Sequence, residues 1–141
     1  MTQPMFPVFD TAGSALTTHR IWMNAIADNL ANVNTVRAMS DKAFQERFII
    51  AQSLPGHPGD LVGVGGGVAP VAVEFGDDQG IVTYEPGHPL ADKDGLVRRP
   101  NVNLADQMTN LILAQRAYQL NLAVVDRARD SYQQALQITG R

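Results

Sequence analysis

The chain has 141 residues, 45% of them hydrophobic, with a formal net charge of −3 and no cysteine. That length fits one domain, or a small core with a subdomain. The acidic balance argues against nucleic acid, which needs a dense basic surface to displace counterions, and the lack of cysteine excludes disulfides and thiolate metal sites.

The stretch from Met1 to Phe9 lacks the basic start and long apolar run of a cleavable signal peptide. Uninterrupted apolar runs are a few residues long, far short of the roughly 20 that a membrane span needs. These features predict a soluble chain that, if exported, does not use the ordinary secretory route, and no insertion into a membrane.

A first helix is predicted from around Phe9 to Thr11 until about Ala31, with Asp10, Thr11 or Ser14 as candidate caps. Phe9, Ala12, Leu16, His19, Met23, Ile26, Leu30 and Val33 recur at alternating spacings of three and four. That spacing puts them on one side of a helix, as a coiled-coil seam requires. Asn29, Asn32 and Asn34 then end it, since asparagine tolerates the left-handed backbone and bonds its own chain in turns. The cluster reads either as a specific corner motif or as a generic helix stop.

From Val36 to Pro100 the helical period disappears. Phe44 to Gln52 reads as a strand, and Gly56 to Gly67, with six glycines, as a flexible loop. Val68 to Phe75 reads as a second strand that Pro70 pushes to an edge. Asp77 to Gly80 makes a turn into Ile81 to Tyr84, which predicts a hairpin between those two strands. Glu85 to Pro89 and Ala91 to Gly95 are further turns before Leu96 and Val97.

Pro100-Asn101-Val102-Asn103 leads into a second helix, with Asn103 as N-cap and Asp106 near the positive end of the helix dipole. No proline or glycine interrupts the chain from Leu104 until Gly140. Roughly 36 helical residues extend about 54 Å. Leu104, Met108, Leu111, Gln115, Tyr118, Leu122, Val125, Arg129, Tyr132 and Leu136 form the seam expected to face the first helix. Leu113, Ala117, Leu120 and Val124 form a second stripe on the opposite side, and Arg116 is the one charge between Gln107 and Val125. The first helix echoes this with Ile21, Trp22 and Ala25 off its main seam.

A two-helix hairpin in water leaves the second stripe wet, forgoing about 1.5–3 kcal/mol per large apolar side chain. Such stripes normally mark contact with another chain. Ile21, Trp22, Leu113, Ala117, Leu120 and Val124 are therefore the expected inter-subunit contacts. In the free subunit the terminal helices are expected to be frayed. The competing expectation is that the central segment folds back over both stripes.

The fold class predicted is α+β: two long terminal helices paired as a coiled-coil-like hairpin around an inserted β-rich segment. The divisions are residues 1–35, 36–100 with its Gly/Pro loops, and 101–141. No enzyme is predicted. His19 falls in the seam, and His57 and His88 lie in turns with no second ligand at a useful spacing, so no metal site is expected. Asp92 to Gly95 resembles the start of a calcium loop, but its glycine is early and no glutamate follows at the required distance. Gly63 to Gly67 lacks the lysine and following helix of a phosphate loop and reads as a linker, so no cofactor is expected.

Asn29-Leu30-Ala31-Asn32-Val33-Asn34-Thr35, at the end of an N-terminal helix, resembles the hallmark of bacterial flagellar rod and hook axial proteins. Tyr84 to Asp92 (with Pro86, Gly87 and Pro89), Pro100-Asn101-Val102-Asn103 and Arg116 to Asn121 are similar to proximal-rod members of that family. The chain departs from them at Ser40-Asp41-Lys42-Ala43-Phe44, where such proteins usually carry a Pro-Tyr-Arg-like turn.

The resemblance implies a mechanical subunit. Its terminal helices would assemble helically around an export channel, with the β segment outside, into the torque-transmitting proximal rod across the periplasm. Implied partners are other copies, proximal and distal rod proteins, the rod-to-motor-ring adaptor and the flagellar type III export apparatus. Phe44 and Phe48 fit the hydrophobic pattern by which export substrates engage the gate; a buried strand face accounts for them equally well. The alternatives are a different axial subunit, or a monomeric helical-hairpin binding module.

Overall fold

The computed structural model describes residues 7–56 and 65–139. The segment 1–6 and most of the predicted Gly56–Gly67 loop, with His57, lie outside the described residues. The elements run α1 (Pro7–Asn32), β1 (Arg47–Ser53), β2 (Val68–Phe75), β3 (Ile81–Tyr84), β4 (Leu96–Arg99) and α2 (Leu104–Thr139). The two helices pack on each other and β1 and β2 pack on α1, giving the α+β architecture expected.

α1 starts earlier than the periodicity predicts, at Pro7, because a proline at the first helical position sacrifices no hydrogen bond. Asp10, Thr11 and Ser14 consequently lie inside the helix and do not cap it. Ser14 Oγ donates back to the Thr11 carbonyl at 2.7 Å and accepts the Val68 N–H at 3.1 Å, pinning the start of β2 to the helix. Gly67, at φ 95°, lets that approach happen, since a Cβ there would stand 2.2 Å from Ser14 Oγ. At the other end Asn32 Nδ2 donates to the Asp28 carbonyl at 2.9 Å, and Asn32 Oδ1 accepts from the Thr35 hydroxyl at 3.2 Å. Among the described residues no non-glycine has a positive φ. The helix thus closes through these side-chain bonds and a backbone turn, Thr35 N–H to the Asn32 carbonyl at 2.9 Å, and not through the left-handed asparagine expected from the sequence.

β1 and β2 pair antiparallel from Arg47↔Phe75 to Ser53↔Val68, with an irregularity between Ile50 and Ala51 where Pro70 enters the register. Proline has no N–H for the ladder, so the pairing skips there. β3 pairs with β4, Ile81↔Arg99 to Tyr84↔Leu96. The expected β2–β3 hairpin does not form. The turn itself is where the sequence puts it: Asp77 accepts the N–H groups of Gln79 and Gly80 at 2.9 and 3.2 Å. Gly80, at φ 61°, brings the chain so near β4 that a Cβ would lie 2.2 Å from the Arg99 carbonyl. The turn therefore hands the chain from one sheet to another. Arg37 extends the second sheet by exchanging N–H···O bonds with Arg98, each at 2.9 Å.

Asn103 caps α2, its Oδ1 accepting the N–H of Ala105 at 2.9 Å and of Asp106 at 3.4 Å. Asp106 sits in the first turn, where the dipole favours a negative charge. Among the described residues the buried hydrophobic side chains are Ala12, Ala25, Ile26, Ala43, Val97 and Ala114. Four of the six are alanines, so the helices approach closely but bury little. No helix among these residues is long and apolar enough to cross a membrane.

Candidate interaction surface

The helical pair leaves α2 largely uncovered. Of the predicted seam, Ile26 is buried, and Leu16, Met23, Leu30, Leu111, Tyr118 and Val125 are half-buried. Leu104, Met108, Leu122, Tyr132 and Leu136 are exposed. The covered line of α2 runs through Gln107, Leu111, Ala114, Tyr118, Asn121 and Val125. It has the same alternating spacing but includes an alanine and two amides, which a search for large apolar side chains passes over. Ala114, at 0% exposure, is fully covered.

Of the six expected inter-subunit positions, Leu113, Leu120 and Val124 stand exposed, Leu120 at 69%. Ala117, Ile21 and Trp22 are half-buried. Ala25, which the sequence puts off the seam, is buried, since β1 and β2 also pack on α1. The central segment covers α1, then, and not the outer side of α2. Leu113, Leu120 and Val124, continued by Met108, Ile112 and Leu122, make one of the two helices apolar toward solvent. Association with another chain is what such a surface is suited to.

Between the start of α1, Val68 and α2 lies a cleft of about 480 Å³, lined by Val8, Ala12, Ala15, Asn121 and Val124 among others. Among the described residues, none of its lining side chains is titratable. His88 Nδ1 accepts the Leu90 N–H at 3.1 Å, and Asp92 Oδ1 accepts those of Asp94 and Leu96 at 2.9 and 2.8 Å, so each is engaged in shaping its own turn. Lys42 and Asp78 pair at 2.7 Å. Their hydrogen bond and mutual charge raise the Lys42 ammonium above its ordinary range and hold the Asp78 carboxyl below its own.

The asparagine segment has a defined geometry. Asn29 is buried, Leu30 half-buried, and Ala31 and Asn34 exposed. Asn29 Nδ2 donates to the Arg47 carbonyl and to Gln107 Oε1, both at 3.1 Å, and Asn29 Oδ1 accepts the Arg47 N–H at 2.9 Å. Gln107 Nε2 passes on to Glu46 Oε1 at 2.6 Å. Gln107 and Arg47 escaped the sequence reading because their roles depend on partners far along the chain; Gln107 at seam spacing with Leu111 was the available signal. Pro86, Gly87 and Pro89 lie on the exposed loop between β3 and β4, whereas Pro100 is buried and Asn101 exposed. Phe44 is half-buried with the Arg47 guanidinium 5.9 Å from its ring centroid, and Phe48 is exposed on β1. Arg47 also forms an ion pair with Asp28.

Two family models match the chain at its helical ends. The one described as flagella basal body rod protein covers residues 9–38, α1 with the asparagine segment. The one described as flagellar basal body rod FlgEFG protein C-terminal covers residues 93–138, β4 with α2. Three similar proteins are each named flagellar basal-body rod protein FlgC. That of Escherichia coli O6:H1 is 37% identical over 122 residues, 86% of this chain and 88% of the relative. That of Salmonella typhimurium is 34% identical over the same shares of each chain. That of Borreliella burgdorferi is 31% identical over 147 aligned residues, 95% of this chain and 97% of the relative.

Proposed function

The chain belongs to the family of the flagellar basal-body rod protein FlgC, and from that premise we propose that it is a structural subunit of the proximal rod of the bacterial flagellum. The observation that carries this reading is the apolar outer side of α2, with Leu120 the most exposed of its stripe. Neighbouring copies and other rod proteins cover that side, the molecule's own centre packing on α1 instead. Open helical assembly needs two unlike patches meeting head to tail, and a helical pair with one covered and one bare face supplies them. Helix-on-helix contacts of this kind resist shear because packed interiors are dense, which suits a shaft that transmits torque around an export channel. Its role is mechanical and not enzymatic.

In this reading the subunit leaves the cytoplasm through the flagellar type III apparatus and takes its place in the rod across the periplasm. Exposed Phe48, four residues after half-buried Phe44, supports contact with the export gate. The rod-to-motor-ring adaptor and the distal rod proteins are its partners at the two ends. Leu120→Asp tests the assembly role: swimming is expected to be lost while export and the fold of the single chain persist. Normal swimming in that variant overturns it. A chain that stays monomeric at every concentration and grips a foreign helix would instead be a binding module.

A further inference from the structure

Asn29 pairs with Arg47 as a strand neighbour would, its side-chain amide exchanging two bonds with one backbone residue. Its remaining N–H goes to α2, at Gln107, whose own amide bonds Glu46. Glu46 in turn accepts the Gly76 N–H on its carbonyl at 2.8 Å, closing the end of the β1–β2 pair. Asn29 is 1% and Gln107 3% exposed, so water does not replace these bonds. Four segments of the chain meet in one run of two buried amides and the half-buried carboxylate of Glu46.

We infer that the Asn29–Gln107–Glu46 run is a coupling device that makes the seating of α2 on α1 and the alignment of the β1–β2 pair a single event. With α2 lifted away, Asn29 loses an acceptor and Glu46 a donor, both beside β1. A buried polar group left unmatched is costly, and buried polar groups are best known for fixing register. The hairpin therefore senses whether the terminal helix is in place. These bonds all lie within one chain, so the inference does not rest on the rod reading above.

The test is hydrogen exchange of the full chain, at a concentration where circular dichroism reports both helices formed. Gln107→Leu replaces the amide without touching the hairpin backbone. It is expected to speed exchange of the amides from Arg47 to Ser53 about tenfold, with the middle of α1 little changed. Gln107→Glu sets a second carboxylate against Glu46 and is expected to loosen the hairpin likewise. Adding Glu46→Gln to it should restore protection, since the carboxylate at 107 still accepts from Asn29 Nδ2 and the amide at 46 now donates to that carboxylate. Unchanged hairpin exchange in the single variants overturns the inference. So does failure of the swap to restore it, or loosening of every segment alike, which would make the run mere packing.

Discussion

Removing the Asn103 side chain leaves the N–H groups of Ala105 and Asp106 without their acceptor at the start of α2. Asn103→Ala is expected to cost about 1 kcal/mol in denaturant unfolding, and an unchanged midpoint would contradict the capping role. Lys42 and Asp78 give a charge prediction. A depressed carboxyl contributes above its ordinary pKa and a raised ammonium below its own. The pair therefore contributes fully between the ordinary values of 3.8 and 10.5, fading as pH falls below the first or rises above the second. Both groups meet solvent, so the effect on stability is small. It is visible in titration: Lys42→Gln should bring the NMR midpoint of Asp78 up toward the usual aspartate range, and an unmoved midpoint would deny the pairing. Asn103 was legible in the sequence because a cap acts on its immediate neighbours. Asn29 was legible as part of a helix ending, but its bonds to Arg47 and Gln107 were not, because each depends on residues distant in the chain.

Two substitutions on α2 separate its two sides. Ala114→Leu forces a large side chain into a position with no exposure, and is expected to destabilise the helical pair by about 1–3 kcal/mol. Leu120→Asp, on the exposed side, should leave the single chain within about 0.5 kcal/mol of the parent while preventing self-association in sedimentation. The reverse pattern would mean that the sides have been misassigned. Helix lengths were legible because a period of 3.6 and an absence of breakers are local signals. The seam residues were only partly so, since Ala114 and Gln107 pack by smallness and hydrogen bonding. Strand pairing was the least legible element. Asp77 to Gly80 form a turn as read, but nothing local says that β3 will pair with a strand eleven residues beyond it and not with the one it has just left.

At the scale of the molecule, a core made mostly of alanines sits beside a long helix whose outer side is leucine and valine. The family relationship was legible from four short segments, because the asparagine run, the Tyr84–Asp92 loop, Pro100–Asn103 and Arg116–Asn121 keep their order and spacing. The account's central claim is that α2 is completed by other chains. Far-UV circular dichroism of the full chain, followed from high dilution into the range where it self-associates, tests this most directly. The account predicts weak helical signal in the dilute monomer and a rise that tracks association. Full, thermally robust helicity in the dilute monomer, unchanged by concentration, would contradict it.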